Sequence, residues 1–127
     1  MQPQGRVDIR YVDGFVLPVP KKNLQAYRRV AEKAGKIWRE HGTLEYRECA
    51  GDDLKVTFGV SFPRLAKAKP GETVIFSWIV YKSRAHRNRF NAKVMKDPRI
   101  TEMCNGKTMP FDLKHIIYGR FKVLVEA

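Results

Sequence analysis

The sequence predicts an α+β domain whose strands and helices follow one another in the order βαββαβ. Strand-type and helix-type patterns of apolar residues occur in that order along the chain. Apolar residues make up 43% of the 127 positions, which favours a packed core over disorder. A chain of this length forms one domain with a core of its own. We therefore expect a flexible N-terminal segment over residues 1–10 and a single domain over residues 11–127.

The first strand is predicted over residues 11–19, where strand-forming apolar residues are frequent and Pro18 and Pro20 mark the end. A helix is predicted over residues 22–41, and Gly42 follows as the residue that ends it. Apolar residues recur in this helix at spacings of three and four, which predicts one buried stripe. They are Leu24, Tyr27, Ala31, Ala34 and Trp38.

The second strand is predicted over residues 43–50, followed by a turn at residues 51–53. The sequence over residues 54–69 is less regular. We expect a loop there, in which residues 56–60 can form a short strand and a helical turn can follow Pro63.

The third strand, over residues 73–81, has the clearest strand pattern in the chain. Ser83 is expected to cap a second helix that runs to Lys96, and Asp97 with Pro98 begins a short further turn. The last strand is predicted over residues 115–125. The complete order matches the ferredoxin-like arrangement, with two helices on one face of a four-stranded antiparallel sheet.

Both faces of the predicted sheet are apolar, although the two long helices can cover only one. In the third strand one face carries Val74, Phe76, Trp78 and Val80, and the other carries Ile75, Ser77, Ile79 and Tyr81. A bare apolar face of several hundred Å² is rarely left in water. We favour a homodimer in which two such faces pack together, and the alternative is that residues 54–69 and 105–112 fold over the face.

Composition narrows the class of protein further. The net charge of +12 favours contact with phosphates or acidic partners, without deciding the fold. Residues 1–10 hold no apolar run of the kind a signal peptide needs, and no apolar run is long enough to cross a bilayer. Two cysteines, Cys49 and Cys104, suit free thiols in a reducing compartment, with a disulfide between them left open. We expect a cytoplasmic protein.

The sequence carries none of the common catalytic signatures. His41, His86 and His115 are scattered, without a Cys, Asp or Glu at metal-ligand spacing. The phosphate-binding, dinucleotide-binding and nucleophile-elbow motifs are absent from the sequence. We therefore expect no metal and no cofactor.

Two carboxylates lie on strand faces that are otherwise apolar. Asp13 shares its face with Tyr11 and Phe15, and Glu48 shares its face with Tyr46. Buried there, they would be candidate acid or base groups, whereas solvation or a salt bridge is the simpler reading and the one we favour.

Four further residues complete the candidate pocket. On the helical wheel Arg87 falls on the face that meets the sheet. There it either pairs with a carboxylate, of the protein or of a ligand, or extends its head to water, and in the candidate pocket it would bind an anionic group of the ligand. Trp78 and Tyr118 are candidate apolar walls with a polar end. The loop over residues 109–112, with Asp112, is expected to cover the pocket.

A positive stripe is predicted on the opposite face of the second helix. Its members are Lys82, His86, Arg89, Lys93 and Lys96. It could follow a phosphate backbone, or it could simply be the solvated side of the helix. Only one aromatic residue, Phe90, lies within its span for base stacking.

Several short motifs resemble those of the YbaA-like family of small bacterial proteins. They span most of the chain, in the same order as in the family. They are Tyr11-Val12-Asp13-Gly14-Phe15, Phe76-Ser77-Trp78-Ile79-Val80-Tyr81, Lys93-Val94-Met95-Lys96-Asp97-Pro98-Arg99, Met109-Pro110-Phe111-Asp112 and Ile117-Tyr118-Gly119. The resemblance implies a ferredoxin-like domain assembled as a dimeric α/β barrel, and it implies no function. The sequence departs from the family pattern at Asn88, His115 and Arg120.

The sequence as a whole favours a homodimer that binds a small molecule, with the question of an enzymatic reaction left open. The alternative is a nucleic-acid-associated protein that uses the positive stripe. A purely structural interaction protein is a third hypothesis.

Overall fold

The computed structural model describes residues 9–104, 110–111 and 113–127. The strands are β1 (Tyr11–Pro20), β2 (Glu45–Ala50), β3 (Glu72–Tyr81) and β4 (Ile117–Lys122). The helices are α1 (Leu24–Glu40), α2 (Phe62–Leu65), α3 (Arg84–Met95) and α4 (Pro98–Cys104), with 3₁₀ turns at Lys21–Asn23 and Leu113–His115. The predicted α+β class is confirmed. In the described part of the chain, no helix combines the length and apolar character needed to cross a membrane.

The strands form one sheet in the order β2-β3-β1-β4, and every neighbouring pair is antiparallel. The two ten-residue strands β1 and β3 pair along their whole length, from Tyr11 opposite Tyr81 to Pro20 opposite Glu72. The shorter β2 and β4 are the edges. Side chains at alternate positions therefore divide between a helix-facing side and a far side of the sheet.

The helix-facing side holds most of the core. Leu17, Val19 and Ile75 pack with Tyr27 of α1 in one cluster. A second cluster consists of Tyr11, Ile79 and Tyr81, packed against Trp38 of α1 and Phe90 of α3. Because α1 and α3 both contact this side, it is the side on which a polar residue must find a partner within the protein.

The far side is covered only in part. Val16 and Val74 are buried there against Ala66, so residues 54–68 do fold over one end of the sheet. Phe76 and Phe121 on the same side remain 44% and 60% exposed. The alternative of a loop covering this side is thus correct for one end of it. The described residues 110–111 pack on the α1 side instead, where Phe111 joins the first core cluster.

Two predicted strands differ from the structure. Residues 56–60 form no strand, because Gly59 at φ +70° interrupts the extended backbone. The last strand is shorter than the predicted 115–125. Its pairing with β1 runs from Ile117 opposite Val16 to Lys122 opposite Tyr11. At its start, residues predicted as strand belong to the 3₁₀ turn Leu113–His115, and just past its end the Val123 N–H donates to the Arg10 carbonyl at 2.9 Å.

Gly42 tests the packing of α1 against α3. It has φ +106°, and a Cβ placed on it would lie 2.8 Å from the Phe90 ring. Gly71 has φ +84° with no atom within 4 Å of such a Cβ, so it is a matched control for the backbone effect alone. We expect Gly71→Ala to lower the free energy of unfolding by about 1–2 kcal/mol and Gly42→Ala by at least ~1 kcal/mol more. Urea unfolding measures both, and equal losses would contradict the contact.

Candidate functional site

Asp13 and Arg87 form a buried ion pair between β1 and α3. The Asp13 residue is 2% exposed, and Arg87 Nε donates to its Oδ2 at 3.2 Å. The cap at Ser83 sets this geometry, because its Oγ accepts from the His86 N–H and its carbonyl accepts from the Arg87 N–H. One turn into the helix, Arg87 therefore points at the sheet. Of the two open readings for this residue, pairing with a carboxylate is the one the structure shows.

The same pair organises two tyrosines. The Tyr81 hydroxyl donates to Asp13 Oδ2 at 3.3 Å, and Arg87 donates from its other end to the Tyr118 oxygen at 3.0 Å. Burial acts to lower the pKa of Arg87, but the charge and hydrogen bond of Asp13 outweigh it and raise that pKa. Arg87 therefore stays cationic. Asp13 Oδ1 is buried and accepts no hydrogen bond from the described residues.

Glu48 lies on the same side of the sheet in a different setting. Tyr27 of α1 donates to its Oε1 at 2.5 Å, and Tyr46 of β2 donates to its Oε2 at 2.5 Å. Burial, followed by the Glu48 charge, raises the pKa of each tyrosine far above its ordinary value, so both stay protonated donors. Among the described residues Glu48 has hydrogen bonds but no ion pair.

A groove of about 850 Å³ runs along α1 beside the edge strand β2, and Glu48 lies in it. Its lining residues are Leu24, Gln25, Tyr27, Arg28, Ala31, Glu32, Gly35, Lys36, Arg39, Glu40, Tyr46, Glu48, Ala50 and Ile75. Gly35 is needed for its shape, because a Cβ there would lie 2.9 Å from two atoms of the Tyr46 ring. Phe111 packs edge-on against Tyr27 at 5.3 Å, so part of the loop expected to cover a pocket does lie beside the groove.

The predicted pocket residues do not form one site. Asp13, Arg87 and Tyr118 come together, whereas Glu48 lies two strands away across β3. Trp78 lies on the far side, where its Nε1 donates to Glu45 at 2.6 Å, so it cannot share a pocket wall with Tyr118. Side chains alternate between the two faces along a strand. Trp78 pairs with Gly14, the residue next to Asp13, so its side chain lies on the face opposite to that of Asp13. Asp112 lies outside the described residues.

Sequence reasoning did not identify Tyr27, Tyr46 and Tyr81 as partners of the two carboxylates. The signal was present, because Tyr27 belongs to the predicted stripe of α1 and Tyr46 to the strand face of Glu48. The sequence does not show that the apolar stripe of α1 packs against the face of β2 that carries Glu48.

The positive stripe lies on α3 and just before it. Arg89, Lys93 and Lys96 are exposed, as is Lys82 ahead of the helix. The His86 ring packs 4.0 Å from the Phe90 ring, and Lys93 Nζ lies 5.7 Å from the same ring. The single aromatic residue of the stripe therefore already packs against two members of the stripe.

A further polar cluster joins the end of α1 to the start of α4. His41 Nε2 lies 3.0 Å from Asp97 Oδ2, and Arg99 Nη2 lies 2.8 Å from the same oxygen. The hydrogen bonds from Arg99, and then from His41, hold the pKa of Asp97 well below its ordinary value. Asp97 also accepts the Arg99 backbone N–H at 2.9 Å, so this cluster caps α4.

The chain matches one described protein family and is similar to several bacterial proteins. The model of a family described as "Protein of unknown function (DUF1428)" matches residues 10–113. The chain is 42% identical over 118 residues to the uncharacterized protein YbaA of Escherichia coli (strain K12) and to that of Shigella flexneri, covering 93% of this chain and 99% of each relative. The resemblance found in the sequence motifs is confirmed.

Among solved structures, the de novo designed protein Foldit4 matches 88% of this chain and 96% of its own length, at 8% identity and a TM-score of 0.43. This degree of similarity is too low to bear on the fold.

The buried Asp13–Arg87 pair predicts a non-additive pattern of stabilities. Asp13→Ala leaves a mostly buried guanidinium without its anion and should lower the free energy of unfolding by about 3–5 kcal/mol. The double change Asp13→Leu with Arg87→Met removes both charges and should recover most of that loss. Chemical unfolding of both variants measures the difference. A single-variant loss below ~1 kcal/mol would show that the pair is solvated.

Proposed function

The chain belongs to the DUF1428 family, and from its own geometry we propose that it binds a small molecule in the groove between α1 and β2 and that it does so as a homodimer. The observation that carries the proposal is Glu48, a carboxylate held at both oxygens by tyrosine hydroxyls inside a groove with apolar walls. Ligand sites in proteins combine these features: a concave, largely apolar surface and a few fixed polar groups.

The dimensions of the groove agree with this role. A volume of about 850 Å³ lies within the ~300–1,000 Å³ that is usual for small-molecule pockets. Its apolar members, among them Leu24, Ala31 and Ile75, belong to or pack against the first core cluster, so this part of the wall is rigid. Rigid walls lower the entropy cost of binding.

The partly bare far side of the sheet supports the homodimer. The Phe121 ring lies over Gly14 and Gly119, and Phe76 packs against Trp78 and Phe62. An isologous dimer uses the same patch on both chains, so this one apolar face could supply both sides of the interface. The strand order and antiparallel pairing support the further proposal that each chain is a ferredoxin-like unit and that the dimer is an α/β barrel.

The exposed apolar area of this face is a substantial part of what a dimer needs. At about 200 Å² for each phenylalanine side chain, the exposed fractions of Phe62, Phe76 and Phe121 supply roughly a third of the ~800 Å² that each partner buries in a standard interface. Ile117, which is 36% exposed on the same face, adds to it. We therefore assign this face to a second copy of the chain.

The alternative of a nucleic-acid-binding surface has weaker support. The net charge of +12 and the exposed stripe favour contact with phosphates. Sequence-tolerant binding of single strands also needs aromatic rings on which bases stack. Phe90, the stripe's aromatic residue, instead packs against His86 and into the core beside Tyr81.

Ligand binding in the groove can be tested with a variant that fills it. Ala50 is exposed at one end of the groove, so Ala50→Trp should occupy the groove without disturbing the core. Lys33→Trp adds the same side chain to α1 outside the groove and is the control. We expect metabolites that raise the melting temperature of the wild type by several degrees to act equally on Lys33→Trp and not on Ala50→Trp. The proposal fails when no metabolite of a broad library stabilises the wild type, or when Ala50→Trp responds like the wild type.

The homodimer predicts a mass in solution of twice 14.7 kDa at micromolar concentration, measured by light scattering coupled to gel filtration. Phe76→Lys with Phe121→Lys places charges in the proposed interface and should give a 14.7 kDa particle. Met95→Lys changes a residue that is 52% exposed on α3 and should leave the dimer intact. A wild-type mass of 14.7 kDa would overturn the assignment of the far side.

A further inference from the structure

We propose that the ligand of the groove carries a cationic nitrogen, as in an arylalkyl or alkyl amine, and that this nitrogen binds to Glu48 beside the hydroxyls of Tyr27 and Tyr46. The inference rests on the proposed function, because it names the class of molecule that the same groove would take. Three observations lead to it: the hydrogen-bond state of Glu48, the charge balance of the groove and the way two tyrosines hold the carboxylate.

Glu48 offers acceptor capacity but no donor. Each carboxylate oxygen accepts one tyrosine O–H and can accept another hydrogen bond. An ammonium group supplies N–H donors and the positive charge that Glu48 lacks among the described residues. A ligand carboxylate at the same place would meet Glu48 as a like charge, which is unfavourable in a groove with apolar walls.

The groove is locally neutral although the chain is strongly basic. Its lining contains three basic and three acidic side chains, against a net charge of +12 for the whole protein. These are Arg28, Lys36, Arg39, Glu32, Glu40 and Glu48. Charges elsewhere on the surface are screened over about 8 Å at physiological salt. The groove therefore does not share the preference for anions that the overall charge suggests.

Two of the three basic residues of the rim have partners of their own. Arg39 donates to the backbone carbonyls of Thr43 and Leu44, so its guanidinium is directed toward the turn before β2. Arg28 pairs with Glu32 at 3.8 Å, and Glu40 pairs with Arg99 at 2.8 Å. Glu48 is the carboxylate of the lining that two tyrosine hydroxyls hold and that has no ion pair among the described residues.

The two tyrosines hold the carboxylate in place. Tyr27 and Tyr46 both line the groove, and both turn their hydroxyls to the one carboxylate. The attraction for a cation therefore comes from Glu48, and the rings form the walls beside it. Gly35 holds the Tyr46 ring close to α1, and Phe111 supports the Tyr27 ring from its edge. The two walls are therefore fixed before a ligand arrives.

The test compares three probes of equal shape on the wild-type protein: phenethylamine, 2-phenylethanol and phenylacetate at pH 7. Ligand-observed NMR and thermal shift measure binding. We expect phenethylamine to bind at least about tenfold more tightly than the neutral alcohol, since it adds a charge-assisted hydrogen bond to Glu48. Phenylacetate should bind most weakly. This comparison needs no variant and so does not depend on how a substitution folds.

A matched pair of variants tests whether the preference for the amine depends on Glu48. Glu48→Gln should abolish the preference for the amine, whereas Glu45→Gln, on the other face of the same strand, should retain it. Equal binding of all three probes, tighter binding of the anion, or an amine preference that survives Glu48→Gln would overturn the inference. Because the metabolite screen with Ala50→Trp tests the groove independently of ligand charge, that screen shows whether the proposed function fails as well.

Discussion

Two carboxylates on the helix-facing side of the sheet fix how both long helices sit on it. A carboxylate removed from water there needs donors from the protein, and each of the two receives them from a different helix. Asp13 takes the guanidinium of Arg87, which sets the rotation of α3 about its axis. Glu48 takes the hydroxyl of Tyr27, which sets α1 against β2 and leaves the groove between them. The polar interactions of this layer thus act together with the apolar clusters of the same side in placing the helices and shaping the candidate site.

Much of the fold could be predicted because the evidence for it is local. Pro20, Gly42 and Ser83 mark element ends through backbone rules that need no neighbours, and the helix and strand boundaries around them agree with the structure to within a few residues. Pro18, also predicted to end the first strand, instead lies within β1 opposite Val74. The prediction of a short strand at residues 56–60 was wrong, because alternation of apolar residues does not reveal whether a partner strand is within reach. The division of the sheet into two apolar sides was correct, since strand alternation follows from the backbone alone.

The candidate site could be predicted only in its parts. Asp13 and Arg87 each stood out because a charged residue interrupted an apolar face, and the structure joins them. The prediction that Trp78 and Tyr118 line one pocket was wrong. Trp78 lies opposite Gly14 and Tyr118 lies opposite Phe15, and side chains at neighbouring positions of a strand lie on opposite faces of the sheet. The tyrosines around Glu48 could not be assigned from the sequence, since an aromatic residue in a core stripe usually contributes only packing. The tertiary structure decides which tyrosine donates its hydroxyl to which carboxylate, because this depends on how α1 packs against β2.

The contrast between the two carboxylates bears on which of them faces a ligand. Asp13 is compensated by an arginine of the same chain, so a second cation at that position would compete with an internal ion pair already in place. Among the described residues Glu48 is held by neutral donors, whose raised pKa values keep their protons on oxygen at physiological pH. The ion pairs of the described residues do not include Glu48, so a cation that enters the groove would not have to displace an internal partner. Two tyrosine hydroxyls thus hold the carboxylate in place and leave acceptor positions on it for a ligand.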